Sequence, residues 1–238
     1  LMCGRFALTI PSKKTLAEMF NLPKVPELAP QYNIAPSQEI AAVAETAHGR
    51  ALSRFTWGIV PPWNDSNSPG NAIINVRSET AHRKRIFRDA FLKRRCIIPA
   101  SGFYEWKKVG RRKIPYFTAP ADQAFFGFAG IWEPPGKAPG GLPAAAILTG
   151  PPNRTLHEIH SRMPVILFPE DYDQWLDPDV QDPDDLRAVL KIYPDLGVTC
   201  RQVSPRVNST HNDDRACIRP AEPAAEEEQT MFGDMENG

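Results

Sequence analysis

The stretch GFYEWKKVGRRKIPYFT, residues 102–118, is the part of the sequence that most clearly predicts the fold. Residues 102–108 and 113–118 are rich in aromatic and β-branched side chains, and Val109-Gly110-Arg111 between them is typical of a turn. The two segments therefore predict an antiparallel hairpin. Glu105 lies in the middle of the first strand among aromatic residues, and a carboxylate in such a place suggests a functional role.

The rest of the chain predicts many short strands and a few helices. Strands are predicted at residues 39–44, 51–57, 73–75, 96–99, 123–132, 144–149, 163–168 and 198–203. Helices are predicted after Ser12, from about Glu79 to Arg95, within 152–159 and at 183–192, with Ser12 and Asp182 as caps. The 25 prolines of this 238-residue chain are about twice the usual ~5% and favour short elements joined by fixed turns. The pattern predicts an α+β fold.

Size and composition indicate an ordinary globular protein with a sizeable core, since 42% of the residues are hydrophobic. We expect a single domain over residues 3–220, followed by an acidic tail at 221–238 whose Ala/Glu-rich sequence predicts disorder. The four cysteines form no C-x-x-C pair, and no apolar run approaches the ~18 residues of a membrane span. No signal peptide is recognised, so the expected location is the cytoplasm, in association with the nucleoid.

Charge is unevenly distributed along the chain. The whole sequence has 28 basic and 28 acidic residues, but residues 77–113 contain thirteen Lys/Arg and only three acids. Such a segment can form an anion-binding face on a neutral protein. Its alternative interpretation is that these charges belong to solvated helix faces and hairpin edges.

Cys3, which follows Leu1-Met2, is the first candidate for chemistry. A cysteine near the start of a chain is ordinarily a small buried hydrophobic residue. If Leu1-Met2 is removed, however, Cys3 presents an α-amine with a reference pKa of ~7.7–8.0 beside a thiol of ~8.5. An aldehyde condenses with such an amine to an imine, which the neighbouring thiol closes to a thiazolidine. No internal cysteine can react in this way, because its nitrogen is an amide.

Proton transfer in that chemistry needs a carboxyl group with a tuned pKa and a histidine that titrates near neutral pH. Glu105 and His160 are the candidates, each with a simpler interpretation: Glu105 as a salt-bridged surface residue, His160 as a hydrogen-bonded loop residue. His157, Glu158 and His160 miss the H-E-x-x-H zinc spacing by one residue. No metal or other cofactor is predicted.

Seven pieces of the sequence together resemble the SOS response-associated peptidase (SRAP) family. They are Cys3-Gly4-Arg5-Phe6, Tyr32-Asn33-Ile34-Ala35-Pro36, Trp57-Gly58 with Pro61 and Trp63, Asn75-Val76-Arg77-Ser78-Glu79-Thr80, Gly102-Phe103-Tyr104-Glu105-Trp106-Lys107, His160-Ser161-Arg162-Met163-Pro164, and Val203-Ser204 with Val207-Asn208. Each piece is weak alone, but the ordered set spans nearly the whole chain and is highly specific. The resemblance implies curved antiparallel strands that form a barrel-like core with flanking helices.

The resemblance also implies a function, which is to sense abasic sites in single-stranded DNA and shield them as a covalent thiazolidine adduct. Cys3 matches the family nucleophile, and Asn75 matches the asparagine that positions Cys3 and the opened sugar. Glu105 matches the acid/base residue, which also takes part in removing the residues before Cys3. His160 matches the histidine that assists proton transfer at the sugar oxygen.

The same resemblance implies DNA contacts. Arg5, Arg77 and Arg162 match phosphate-binding arginines, for which bidentate charge-assisted hydrogen bonds are the physical reason. Trp63 matches a wedge that stacks on bases, although it can also be a hydrophobic anchor of its loop. The expected partner is single-stranded DNA that contains abasic sites, with no membrane and no identified protein partner.

Two other functions remain open. A thiol peptidase acting on other proteins would use Cys3 as the nucleophile and His160 as the base. A non-catalytic single-strand binder would need only the basic segment and Trp63. The imine of the first function also permits β-elimination, which would give a secondary lyase activity.

Overall fold

A computed structural model describes residues 3–9, 12–61, 63, 72–136 and 141–221. Its strands are β1 (Arg5–Leu8), β2 (Gln31–Ile34), β3 (Glu39–Thr46), β4 (Gly49–Trp57), β5 (Asn75–Arg77), β6 (Arg95–Ala100), β7 (Gly102–Val109), β8 (Arg112–Pro120), β9 (Phe126–Glu133), β10 (Ala144–Gly150), β11 (Met163–Pro164), β12 (Ile166–Leu167) and β13 (Val198–Gln202). Its α-helices are α1 (Lys13–Phe20), α2 (Ser78–Ala81), α3 (Arg85–Lys93), α4 (Arg154–His157), α5 (Tyr172–Leu176) and α6 (Pro183–Ala188). The tail predicted to be disordered lies, beyond Ala221, outside the described residues.

One sheet has five strands in the order β13-β8-β7-β1-β2, and its neighbours pair antiparallel. The hairpin predicted from residues 102–118 is β7 and β8, with Glu105 opposite Tyr116. Strand β1 lies beside β7, with Arg5 opposite Tyr104. The start of the chain is therefore held next to the middle of the aromatic strand.

The second sheet closes into a ring. Its strands follow the order β10-β4-β3-β6-β9, and β9 pairs again with β10. Most of its pairings are antiparallel, but β10 runs parallel to β4 and to β5. The α+β class predicted from the sequence is confirmed, and the closed ring corresponds to the predicted closure of curved strands.

The two sheets pack through a cluster of aromatic rings. Phe6 of the five-stranded sheet lies 5.0 Å from Trp57 and 6.1 Å from Phe128 of the ring, measured between ring centroids. Phe103 lies 5.9 Å from Phe128. These four side chains are at most 1% exposed. Edge-to-face contacts of this kind fix the relative position of the sheets beyond the area that they bury.

The basic segment predicted as one helix forms two helices and the start of a strand. Helix α2 ends at Ala81, and α3 begins at Arg85 after a turn in which Thr80 O accepts hydrogen bonds from two successive backbone N–H groups. Arg95 opens β6 and is only 4% exposed, because its guanidinium donates to the carbonyl oxygens of Phe91 and Trp175. The helical segment therefore ends just before Arg95, a cation whose hydrogen bonds lie inside the protein.

The predicted strand at 163–168 is divided at Val165. Strand β11 pairs with β10, whereas β12 pairs with β9. Val165 bridges them, since its N–H donates to Leu148 O and its carbonyl accepts from Ala129 N. The short helix α1 follows the prediction, with the Ser12 side chain accepting from Thr15 N. The longest helix of the described residues is α3, with nine residues, so none of them could cross a membrane.

Candidate active site

Cys3 lies at the entrance to β1 and is fully buried. Its backbone N–H donates to Glu105 Oε1 at 2.6 Å. Its carbonyl oxygen accepts a hydrogen bond from Asn75 Nδ2 at 3.2 Å. Its φ is +28°, a region that residues other than glycine rarely adopt. Both polar groups of the Cys3 backbone are thus held by side chains that the sequence predicted as site residues.

Asn75 reaches Cys3 because the ring positions β5. Trp57 at the end of β4 donates from its indole Nε1 to Ile74 O at 3.0 Å. Strand β5 then pairs in parallel with β10, with Asn75 opposite Ile147. The site therefore joins the two sheets, since Cys3 and Glu105 belong to the five-stranded sheet and Asn75 belongs to the ring.

Glu105 is a buried carboxyl group, only 2% exposed. Burial raises its pKa to about 7, while hydrogen bonds from the backbone N–H groups of Cys3 and Trp106 act in the opposite direction. A carboxyl group with a pKa near 7 exists in both protonation states at neutral pH. It can therefore accept a proton in one step and return it in the next.

His160 follows α4 and faces the same carboxyl group. Its Nδ1 lies 4.0 Å from Glu105 Oε1. The same Nδ1 lies 3.2 Å from the backbone nitrogen of Arg162 and 3.3 Å from its carbonyl oxygen, so the backbone of Arg162 holds the ring in place. Asn153 caps α4 by accepting from Leu156 N and thereby fixes the connection that carries His160. The histidine is close enough to exchange protons with a substrate bound beside Glu105.

The Cys3 thiol is held in its neutral form. Burial raises its pKa well above the ordinary value, and the charge of Glu105 adds to the effect. A nucleophile that relies on a preformed thiolate needs the opposite environment. The surroundings of Cys3 suit a thiol that adds late to an already activated carbon.

The site opens into a cleft of about 640 Å³. Its lining residues are Gly4, Arg5, Pro36, Glu105, Trp106, Lys108, Lys113, His160 and Asn208. This lining includes the acid/base groups Glu105 and His160. It also includes the cations Arg5, Lys108 and Lys113. Within the described residues, no group of His, Cys, Asp and Glu could hold a metal ion.

The three predicted phosphate-binding arginines differ in their surroundings. Arg5 donates to Asn33 Oδ1 at 2.9 Å and to Val207 O at 2.8 Å, and burial lowers its pKa. Arg162 makes two hydrogen bonds with the Glu79 carboxylate, at 2.7 and 2.8 Å. The Arg77 side chain is exposed and takes part in no ion pair among the described residues. Of these three arginines, Arg77 is therefore the one most available to a ligand.

Trp63 lies apart from the cleft that contains Glu105 and His160. Its side chain is 72% exposed. It lines a different cavity of about 1060 Å³ together with Ile59, Lys84 and Arg85 among others. The two cavities have no described lining residue in common. The structure brings together Cys3, Asn75, Glu105 and His160, and it does not bring Trp63 to them.

Asn33 is an element of the site that sequence reasoning missed. It is 1% exposed, and its Nδ2 donates to three carbonyl oxygens, of Val207, Ser209 and Asn212, at 3.3, 2.9 and 2.7 Å. Asn33 thereby holds the segment that carries Asn208 against the cleft. Its place between Tyr32 and Ile34 in a family-like motif was a signal, but its partners are about 175 residues away in sequence.

The fold and this arrangement of side chains define a class of protein. The model of the SOS response associated peptidase (SRAP) family matches residues 2–210, and the chain belongs to that family.

Three individual proteins show what the chain is similar to in sequence or in fold. The chain is 39% identical over 218 residues to the abasic site processing protein YoqW of Bacillus subtilis, covering 89% of this chain and 96% of that protein. It is 32% identical over 180 residues to the abasic site processing protein YedK of Escherichia coli, covering 74% and 79%. A crystal structure of a protein from Bacteroides thetaiotaomicron matches the fold with a TM-score of 0.75 at 23% identity, covering 91% of this chain and all of that one.

Proposed function

We propose that this protein processes abasic sites in single-stranded DNA by forming a covalent thiazolidine adduct through Cys3. The observation that carries the proposal is the 2.6 Å hydrogen bond between the Cys3 nitrogen and Glu105, with both residues buried. A carboxyl group aimed at that nitrogen is suited to proton transfer during amine chemistry. Relatives named abasic site processing proteins support the same substrate.

The reaction starts with removal of Leu1-Met2, which converts the Cys3 amide nitrogen to an amine. The amine attacks the aldehyde carbon of the ring-opened abasic sugar, and Glu105 takes up the proton that the nitrogen loses. Glu105 passes this proton to the alkoxide to give a carbinolamine, and then transfers the second nitrogen proton to the hydroxyl, which leaves as water and gives an imine. The Cys3 thiol adds to the imine carbon and its proton moves to the nitrogen, which completes the thiazolidine.

Asn75 and His160 assist different steps. Asn75 holds the Cys3 carbonyl at 3.2 Å and so fixes the direction of the nitrogen and the thiol. His160, with Nδ1 4.0 Å from the Glu105 carboxylate, assists proton transfer at the sugar ring oxygen when the ring opens. A neutral thiol suffices throughout, because the imine is already an activated electrophile.

Two side activities follow from the same groups. Release of Leu1-Met2 by the protein itself is an autopeptidase step in which water takes the Met2 acyl group and Glu105 is poised at the nitrogen of the bond that breaks. The imine can alternatively lose the 3′ phosphate by β-elimination, which is a lyase reaction. The phosphates of the bound strand would be contacted by Arg77, Arg5 and Arg162, and bases would stack on Trp63.

A thiol peptidase acting on other proteins is a less well supported function. Such an enzyme needs a reactive thiolate, whereas burial raises the pKa of Cys3. The contacts of His160 are with Arg162 and Glu105 rather than with the thiol. A non-catalytic binder, in turn, would give no reason for a buried carboxyl group at the Cys3 nitrogen.

Three forms of the protein test the proposal. Protein processed to begin at Cys3 should form a heat-stable adduct with abasic single-stranded DNA on a denaturing gel. A processed Cys3→Ser protein should lose it, because an oxazolidine is far less stable. A processing-blocked chain that keeps Leu1-Met2 should bind the DNA without forming the adduct.

Mass spectrometry of the chain start and of the adduct must accompany the gel. Full heat-stable crosslinking by chains that retain Leu1-Met2 would rule out the aminothiol mechanism. A peptide probe that leaves an acyl group on Cys3 would favour the peptidase. Unchanged DNA binding by processed Cys3→Ala, with no adduct formed by either protein, would favour the non-catalytic binder.

A further inference from the structure

The tip of the β7–β8 hairpin carries a cluster of cations that the proposed chemistry does not use. We call residues 107–113 the basic hairpin tip; its cations are Lys107, Lys108, Arg111, Arg112 and Lys113, with no acid among the seven residues. All of these cations except Lys107 are exposed. None of them forms an ion pair in the described part of the chain. The tip is therefore positively charged without internal compensation.

Two of these lysines stand directly opposite each other. Lys108 on β7 is the cross-strand partner of Lys113 on β8. Like charges at opposed positions of an antiparallel pair destabilise the pairing. The hairpin would be more stable with a neutral or acidic residue at either position. A bound anion between the two ammonium groups would remove that repulsion.

The same two lysines line the cleft that contains Glu105 and His160. Lys108 is three residues beyond Glu105 on β7, which is about 10 Å along the strand. Trp106 lies between them, lines the cleft and stacks with the Arg5 guanidinium 5.9 Å from its ring centroid. The lining of the cleft thus combines acid/base groups, an aromatic ring and a pair of cations. Aromatic rings and cations in series are the elements of a single-strand binding path.

We propose that the basic hairpin tip binds the phosphates of the DNA strand that continues from the abasic nucleotide. Lys108 and Lys113 bind one phosphate together, and Trp106 faces the intervening nucleotides. This inference rests on the proposed function, since it requires that the reacting sugar lies beside Glu105. Single-stranded DNA is the occupant favoured by a continuous cleft, because a polyanion can follow it from the reacting atom outwards.

Salt-dependent binding tests the assignment. Lys108→Gln with Lys113→Gln should lower the log-log slope of affinity against salt by about 0.7 for an abasic oligonucleotide, because the two lysines together bind one phosphate. Lys14→Gln with Lys24→Gln is the matched control, since both side chains are exposed and neither lines the cleft. Fluorescence anisotropy at several salt concentrations measures both slopes. An unchanged slope in the hairpin variant overturns the proposal, as does an equal loss in the control.

Adduct formation separates this proposal from the one on which it rests. At saturating DNA the hairpin variant should form the Cys3 adduct at the rate of the parent protein. If the parent forms no adduct but the hairpin variant still shows the predicted lower salt slope, the Cys3 chemistry is contradicted and the DNA-binding role of the hairpin tip still stands. A slower saturated rate in the hairpin variant alone would assign the lysines to the chemistry and overturn the binding role.

Lys113→Glu distinguishes binding from a structural role. The substitution places opposite charges at Lys108 and position 113, so the melting temperature should stay equal or rise. Binding should nevertheless weaken, with a slope at least as low as that of Lys113→Gln. A variant that is both less stable and weaker in binding would identify the lysine as structural.

Strand direction gives an independent test. Two oligonucleotides carry the abasic nucleotide at one end, with six nucleotides on only its 5′ side or only its 3′ side. The hairpin variant should lose affinity for one of them and not for the other, because only one direction follows β7. Equal losses for both would show general attraction instead of a defined path.

Discussion

Glu105 is an ionisable group within an aromatic strand. Its carboxyl group accepts a hydrogen bond from the buried nitrogen of Cys3. Its neighbours Tyr104 and Phe103 are fully buried. Water is thus excluded from the carboxyl group except through the cleft. Exclusion of water raises the pKa of the carboxyl group and strengthens its interaction with the Cys3 nitrogen.

Replacement of Glu105 by glutamine should slow adduct formation by ~10²–10⁴-fold, because it keeps the shape and hydrogen bonds of the side chain but removes proton transfer. Affinity for abasic DNA should remain nearly unchanged. Single-turnover gel assays of processed protein at saturating DNA measure the rate. An unaltered rate together with a collapse in affinity would mean that Glu105 is structural.

The same substitution should reveal a pH-dependent stability. Burial raises the pKa of Glu105 to about 7 in the folded chain, against ~4.3 for an unfolded glutamate. The resulting stabilisation is fully present below about pH 4 and is lost as the pH rises through 7. Relative to Glu105→Gln, the parent should therefore lose about 3 kcal/mol of unfolding free energy between about pH 4 and 8. Urea denaturation across this range measures it, and a constant difference would contradict the raised pKa.

Among the arginines, Arg77 should contribute to DNA binding alone. Arg77→Ala removes an exposed cation and should lower the salt slope by about 0.7 on a single strand, without a change in melting temperature. Arg162→Ala should lower the melting temperature as well, since it leaves Glu79 without its bidentate partner. Anisotropy titrations and thermal denaturation separate the two effects. Equal slopes for Arg77→Ala and the parent would remove Arg77 from the interface.

At the scale of elements, the segment 207–212 forms part of the cleft without any regular pairing to β1 or β2. Asn33 on β2 provides the connection through its three donated hydrogen bonds. Trp106 adds a bond from its indole Nε1 to Asn208 Oδ1 at 2.8 Å. One buried amide thus determines where a late segment of the chain meets the first strands.

Asn33→Ala should destabilise the protein by about 1–3 kcal/mol, because it removes the hydrogen bonds to the carbonyl oxygens of Ser209 and Asn212 and one of the partners of the Arg5 guanidinium. Urea denaturation of the variant measures the loss. Asn208→Ala is the matched control, since its exposed side chain holds a single hydrogen bond and should cost less. Equal losses of unfolding free energy in the two variants would mean that Asn33 contributes no more than Asn208 to holding this segment.

Strong local patterns were sufficient to predict several elements. The hairpin around Gly110 was predicted because both strands are aromatic and the turn contains glycine, and the structure extends the first strand by one residue and the second by three. Strands β1 and β2 were missed, since each has four residues and pairs with distant partners. The basic helix divides at a turn over residues 82–84, and its end is set by the buried contacts of Arg95, which no local pattern encodes.

The candidate site was predicted unevenly for a similar reason. Cys3, Asn75, Glu105 and His160 could be named from their chemistry and from a family resemblance, and the structure brings them together. The internal bonds of Arg5 and Arg162 could not be predicted, because an arginine that binds phosphate and one that binds a carboxylate look alike in sequence. Their partners follow only from the packing of the two sheets.

At the scale of the molecule, closure of the ring depends on a residue without a side chain. Gly130 on β9 stands opposite both Cys96 on β6 and Ile147 on β10. A Cβ at this position would lie 2.7 Å from Cys96 Sγ. The point where the ring closes therefore has no room for even a methyl group.

Gly130→Ala should destabilise the whole fold by about 1–3 kcal/mol, because an added carbon in a packed core forces its neighbours to shift. Thermal or urea denaturation measures the loss. Gly136→Ala is a suitable control, since its Cβ would meet nothing closer than 3.8 Å. A variant as stable as the parent would mean that the ring adapts at this position.

The burial of the Cys3 nitrogen against Glu105 has a consequence for handling the protein. A peptide joined to that nitrogen must occupy the opening that a substrate needs, and it also turns the amine into an amide. Such a peptide acts as the propeptide of a zymogen does. Its length is unimportant, and cleavage of the bond directly before Cys3 is the step that activates the protein. Under the proposed aminothiol mechanism, an amino-terminal purification tag would hold the protein inactive until the bond before Cys3 is broken, either by the proposed autopeptidase step or at a specific protease site placed directly before Cys3.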